Sequence, residues 1–323
     1  MNYAARQAYY REIEKTRDTK VIAFVTGERL GLQTIIAGDA IEPFVTLLDS
    51  IGPTKKLSLI LDTNGGHTSA AWRLIHLLRS FGDELEIIVP AKAMSAGTLM
   101  ALGADRIVMT KQAALGPIDP SLENHALNPA ISSGERVSVS AEAIRGYLAE
   151  IKKDVTDPVA LASIWTHLAT QIHPLVLGQI FRLGGQIRSM AKSLIKGQVQ
   201  DEKKQNEIIE LLCSDSGSHD YTINRRVAAE MGLSIEKPSD DLYKTLSNIT
   251  KSYHSELKTL EPFSLHGLLA GAAHRPYTLV RGLIEATEAG CYGYVTQGEV
   301  TAPAAAGAPV GSTKTFEGWR KLP

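Results

Sequence analysis

Cysteine is nearly absent from this chain of 323 residues, which holds only Cys213 and Cys291. Two cysteines cannot build the disulfide framework of a small secreted scaffold, and they point to a reducing, cytoplasmic setting. An excess of one charge is lacking too: 34 Lys and Arg face 35 Asp and Glu, a formal net charge of −1. That balance removes bulk electrostatic attraction as a route to nucleic acid or to an acidic membrane. Long hydrophobic runs are missing as well. No stretch approaches the roughly 18 uncharged apolar residues of a spanning helix, so no integral membrane segment is expected. The opening residues, Met1 to Lys15, are polar and helical in character, with no apolar signal-peptide core. Internal repeats, a phosphate-binding loop and a dinucleotide fingerprint are all absent. His76, His167, His173, His254 and His274 are scattered, and His76 follows His67 by nine residues where a zinc-binding helix uses four. No metal site and no cofactor are expected.

What the chain does have is two strand–turn–helix corners. Lys56 to Thr63 reads as a buried strand and runs straight into Asn64-Gly65-Gly66-His67. An amphipathic helix follows from Thr68 to Arg79, with Ala71, Leu74, Ile75 and Leu78 on one face. Two glycines between strand and helix let the backbone bend sharply and turn N–H groups outward, as an oxyanion hole requires. In the second corner, the strand Leu85 to Val89 ends at Pro90, and Ser95 stands among small residues. An Ala/Leu-rich helix and a short strand, Arg106 to Met109, come next. A hydroxyl at a helix entrance meets free N–H groups and positive dipole potential, which suits attack on a carbonyl. Taken singly, each corner has a plain alternative: Ser95 as an N-cap, the glycines as a tight turn. Two such corners some thirty residues apart are more specific than either alone.

The remaining chain reads as an α/β layout. Lys20 to Thr26 is a strand and Ala40 to Ile51 a helix, and alternation of this kind implies a parallel sheet with right-handed crossovers. Leu115-Gly-Pro-Ile-Asp-Pro120 is irregular, and Glu123 to Ser138 is a candidate mobile loop or lid. Helices are expected over Ala141 to Thr156 with Ser140 as cap, from Asp157-Pro158, from His173-Pro174 past Ile195, and over Asp201 to Leu212. Gly184-Gly185 is read as an irregularity in the third of these. The expected domains are 1–236, carrying a helical insertion over about 141–214, and 237–323. The second holds a helix over Asp240 to Leu260 and a β-hairpin appendage, Tyr277 to Glu285 with Cys291 to Thr296. A weakly ordered tail is expected over Val300 to Gly311.

Several of these motifs carry a resemblance. Asp62-Thr-Asn-Gly-Gly66 looks like the glycine corner of the Clp-protease/crotonase superfamily, and Ala93-Met-Ser-Ala-Gly97 looks like its nucleophile corner. With Ala93 to Leu99, Leu115-Gly-Pro-Ile-Asp-Pro120 and His219-Asp-Tyr221 in this order, the chain resembles the serine dehydrogenase proteinase family. That family is a signal-peptide-peptidase-like branch of the superfamily. The match covers roughly residues 18 to 236. It implies a Clp/crotonase-like α/β fold and a serine peptidase-type hydrolase working through an acyl-enzyme on Ser95. It further implies an oxyanion hole from the amides of Gly65, Gly66 and Ala96, no cofactor, a peptide or unfolded protein substrate, and a homo-oligomer.

The proton acceptor is the open question, since a serine hydroxyl needs one near neutrality. Clp proteases place a histidine soon after the serine, and Leu115 to Pro120 has none. Signal peptide peptidase relatives use a lysine at the start of a later helix, where Glu135 to Tyr147 has none. Arg136 and Arg145 cannot serve, because a guanidinium keeps its proton, and Lys152 and Lys153 read as a solvated helix face. His219, with Asp220 beside it, is the first candidate base; His67 and Lys92 are auxiliary candidates. Two other classes stay open. One is an inactive oligomeric scaffold of the same fold, and the other an acyl-CoA-binding crotonase-like protein.

Overall fold

Apolar runs without polar alternation suit strands covered on both faces. The computed structural model, in which residues 2–118, 121–122, 126–131, 134–215, 221–303 and 309–323 are described, forms strands at those runs. Helix α1 (Tyr3–Arg17), capped by the Asn2 side chain, leads to β1 (Lys20–Thr26). Helix α2 (Ile41–Ile51) crosses to β2 (Thr54–Asp62), and α3 (Thr68–Phe81) crosses to β3 (Gly82–Val89). The two-residue strand β4 (Lys92–Ala93) and the wholly buried helix α4 (Ala96–Leu102) precede β5 (Arg106–Met109) and β6 (Ala114–Leu115). Strands β7 (Ser121–Leu122) and β8 (Val139–Ser140) are followed by α5 (Ala141–Asp154), α6 (Pro158–Gln171), α7 (Pro174–Leu194) and α8 (Glu202–Glu210). Then come β9 (Ile223–Asn224), α9 (Arg225–Met231), β10 (Ile235–Glu236), α10 (Asp240–Leu257) and α11 (Leu265–Leu269). Strands β11 (His274–Ala286), β12 (Gly290–Thr301) and β13 (Gly311–Lys321) close the chain.

One unit comprises Met1–Leu115, Gly197–Val199 and Ile223–Pro323. Its eight-stranded sheet has the order β10-β5-β3-β2-β1-β11-β12-β13. The first five are mutually parallel, and β11 joins β1 antiparallel with Ile22 opposite Ala286 and Thr26 opposite Gly282. The expected hairpin is therefore present, longer than its apolar stretches. It satisfies the backbone groups that β1 would otherwise expose at an edge. The expected boundary at residue 236 falls inside this unit. In place of a tail after Val300, β12 runs on to Thr301, and β13 pairs along it from Gly311; residues 304–308 lie outside the described residues. Helix α3 buries the face expected of it, Ala71, Leu74, Ile75 and Leu78. Tyr10 and Ile13 of α1 pack with Leu246, Ile249 and Tyr253 of α10 in one buried cluster that also takes in Ile60 and Ile88. Within it Arg6, fully buried, donates to both oxygens of the buried Glu285 carboxylate.

The other unit comprises Gly116–Lys196 and Gln200–Thr222. Its helices start where capping chemistry predicts. Ser140 accepts from the Glu142 and Ala143 amides, Asp157 from Ala160, and Asp201 from Lys203 and Lys204. Val139, Ile144, Leu148, Val176, Leu177 and Ile180 make its small core. Helix α7 runs unbroken through Gly184-Gly185, so the expected irregularity does not occur; Gly184 is buried within that helix. Of the candidate lid, 123–125 and 132–133 lie outside the described residues. The Asn128 side chain ties two flanking parts together by donating to the carbonyls of Leu122 and Val137.

Candidate active site

Strand β4 is too short to stand alone, and it is held by the chain that leaves β2. The Thr63 amide donates to the Lys92 carbonyl, and the Met94 amide to the Thr63 carbonyl, each at 3.0 Å. These two bonds bring the corners together. Gly65 turns with φ 108° and Gly66 with φ 149°, regions where an L side chain is strained. Space excludes side chains there as well. A Cβ on Gly65 would lie 2.7 Å from the Met94 carbonyl oxygen and 2.8 Å from the Cβ of Ser95. A Cβ on Gly66 would lie 2.3 Å from the oxygen of Ile36, whose backbone lines the corner: the Ile36 amide donates to Gly65 O and Ile36 O accepts from the His67 amide. Gly97 is constrained in the same way, because a Cβ on it would stand 2.6 Å from the Thr63 methyl.

Ser95 sits at the N-cap position of α4 with φ 50° and ψ −113°, and its side chain makes no capping hydrogen bond. The plain alternative, a serine spent on helix capping, is thereby removed. A non-glycine residue in so sparsely populated a region costs of the order of 1–3 kcal/mol and is held only by its surroundings. The same sharp strand-to-helix turn exposes nucleophilic serines in other hydrolase folds. Ser95 is half-buried, and its hydroxyl forms no hydrogen bond with any described residue. Of the three amides expected to face an oxyanion, that of Gly65 donates to Thr63 Oγ1 at 3.0 Å. The amides of Gly66 and Ala96 donate to no described acceptor.

The candidate bases are distributed as follows. His219 and Asp220 lie outside the described residues. His67 is exposed at the N-cap position of α3, and its ring does not cap that helix. Lys92 pairs with Glu28, Nζ to Oε2 2.6 Å. Lys152 and Lys153 are exposed, and Lys153 pairs with Glu150 one turn earlier.

Two groups at this place escaped the sequence. Asp62 is 3% exposed, and its Oδ1 is buried without a hydrogen-bond partner. Burial, and after it the charge of Glu28, push the Asp62 carboxyl up to about 7, against the opposing pull of the Lys92 ammonium and amide. Asp62 is visible as the first letter of the glycine-corner motif, and the signal for its ionisation is its place at the end of a buried strand. Glu28 carries no local signal, since only the fold brings it to Lys92.

Residues 1–146 match the family model for ClpP-like SDH-type serine proteinases. Two uncharacterised proteins of Methanocaldococcus jannaschii are similar over most of the chain. One is 28% identical over 268 residues, covering 80% of this chain and 82% of that protein. The other is 29% identical over 234 residues, covering 70% and 69%. Among solved structures, a membrane-bound stomatin-specific protease in complex with a substrate peptide is 16% identical, with a TM-score of 0.37, covering 64% of this chain and 72% of that one. No helix among the described residues is long and apolar enough to cross a membrane.

Proposed function

We propose, from the match of residues 1–146 to the family model for ClpP-like SDH-type serine proteinases, that the chain is a serine peptidase working by acyl-enzyme chemistry at Ser95. One observation carries the assignment of Ser95: its backbone is held in a strained turn against Gly65, with a hydroxyl that caps nothing. In this reading the Ser95 Oγ attacks the peptide carbonyl and the oxyanion is received by the Gly66 and Ala96 amides, with Gly65 shaping the turn. Preorganised donors of this kind are worth about 10²–10³ in rate each. The hydroxyl proton passes to His219, oriented by Asp220, and then to the leaving amine; water next cleaves the ester by the reverse route. The substrate is a peptide or an unfolded protein, and the working form is a homo-oligomer.

The test is covalent labelling by a fluorophosphonate probe. Labelling of the wild type and its loss in Ser95→Ala are expected, and a variant that still labels would sink the assignment. His219→Gln should lower turnover by about 10²-fold or more and remove the acid limb of the pH profile near 6.5.

A second reading, an inactive scaffold of the same fold, is favoured by a specific observation: among the described residues, no titratable side chain hydrogen-bonds the Ser95 hydroxyl. The wild-type protein would then fail to label at any pH.

A further inference from the structure

We propose that Asp62 is a positioning residue for the Ser95 corner, and that its gain or loss of a proton sets how well the corner holds the charge of a developing oxyanion. The inference rests on Ser95 being the nucleophile.

Three ionisable side chains gather at the root of the two corners. Asp62 ends β2, Lys92 opens β4, and Glu28 follows β1. The Lys92 ammonium is 2.6 Å from the Glu28 carboxylate, so one cation is already matched to one anion. Asp62, almost wholly buried and with one oxygen unpartnered, feels the charges of both. From α10 the Tyr253 hydroxyl also feels the charge of Asp62. That hydroxyl is engaged with Tyr10 at 2.6 Å, and Tyr10 donates to Glu285, which Arg6 already neutralises. None of these groups brings a second cation to Asp62.

The charge count follows. With Asp62 protonated, the group of Asp62, Glu28 and Lys92 is neutral; with Asp62 ionised, it carries one surplus negative charge. Asp62 is four residues from Gly66 and Lys92 four from Ala96, so the surplus charge stands within about 14 Å of the oxyanion amides. It opposes the negative charge of the transition state by about tenfold in rate at that range. The Lys92 carbonyl, bonded to the Thr63 amide, links this group to the backbone that carries Ser95. Burial already holds the Asp62 carboxyl up at about 7, with Glu28 adding to the shift and Lys92 opposing it, so the change of charge falls in the neutral range.

The experiment follows the rate of fluorophosphonate labelling from about pH 5 to about pH 9 on the full chain, for the wild type, Asp62→Asn, Glu28→Gln and Ser95→Ala. The wild type should show an alkaline decline of about tenfold laid over the rise due to its base. Asp62→Asn should lack the decline, and Glu28→Gln should move it to lower pH, because the charge that helps hold the Asp62 carboxyl up is gone while Lys92 still pulls it down. Glu28 is partly exposed, so its variant keeps the test intact if Asp62→Asn does not fold. Identical profile shapes in wild type and both variants, or a uniform loss of rate at every pH, would overturn the proposal and leave Ser95 in place. No labelling of the wild type above Ser95→Ala at any pH would overturn both.

Discussion

The chain bends after β2 on Gly65 (φ 108°) and Gly66 (φ 149°), and after β4 on Ser95 (φ 50°, ψ −113°). The two bends touch, yet they carry their strain differently. At the first, the residue type removes the strain: glycine has no Cβ, and the neighbouring backbone of Ile36 and Met94 leaves no room for one. At the second, a side chain is kept in a conformation that glycine would adopt at lower cost. Packing alone gives no reason for a hydroxyl there, because it neither caps α4 nor bonds to any described group. At Ser95 strain is tolerated where glycine would relieve it, whereas at Gly65 and Gly66 glycine removes it.

The difference can be broken from either side. The largest effect is expected from Ser95→Ala, which should leave the fold intact and reduce hydrolysis by about 10⁴-fold or more, measured against a peptide or ester substrate. Gly66→Val attacks the architectural bend. A Cβ 2.3 Å from Ile36 O in a positive-φ position should cost about 5 kcal/mol in denaturant unfolding. Activity should vanish with the fold, and an unchanged midpoint would mean that the corner can open without loss.

Asp62→Asn probes the root of the same bend through pH. The folded pKa of Asp62 is raised from 3.8 to about 7. Its contribution to stability is therefore complete below the unfolded value and lost as pH climbs through about 7. Wild-type stability should fall across this window by up to about 4 kcal/mol relative to Asp62→Asn. Parallel curves of unfolding free energy against pH would show that the carboxyl does not titrate there. Ser95→Gly gives the smallest and sharpest contrast. It should stabilise the protein by about 1 kcal/mol while abolishing labelling, because it relieves the backbone and removes the nucleophile. A destabilised variant would mean that the Ser95 turn is unstrained.

Both bends are readable in the sequence, because a buried run followed by small residues has few other outcomes. The strands expected at 20–26, 56–63, 85–89 and 106–109 are legible for the same reason and form at 20–26, 54–62, 82–89 and 106–109, and the helix starts at Ser140 and Asp157 are legible through local hydrogen bonding. What escaped was non-local or two-sided. Strand β13 has mostly exposed residues and no buried run, so nothing in Gly311–Lys321 alone separates it from a tail; only its partner β12 makes it a strand. The pairing of β11 with β1 and of Lys92 with Glu28 depends on residues far apart in sequence. The Gly65 amide turned toward Thr63 Oγ1 illustrates a finer limit, since sequence places an amide at a corner and not the direction it points.

The pairing of β1 with β11 also bears on how the polypeptide comes off the ribosome. Arg6 and Glu285 are 279 residues apart, and the flank of β1 that β11 covers stays open until β11 has been made. Parallel pairing to β2 can form early, but the nascent sheet ends in an unprotected apolar edge until residues 274–286 emerge. Throughout that interval the buried arginine of the N-terminal helix has no carboxylate from β11 to receive it. A ribosome stalled ahead of residue 274 would hold the open edge of β1 in solvent, where it can pair with another chain.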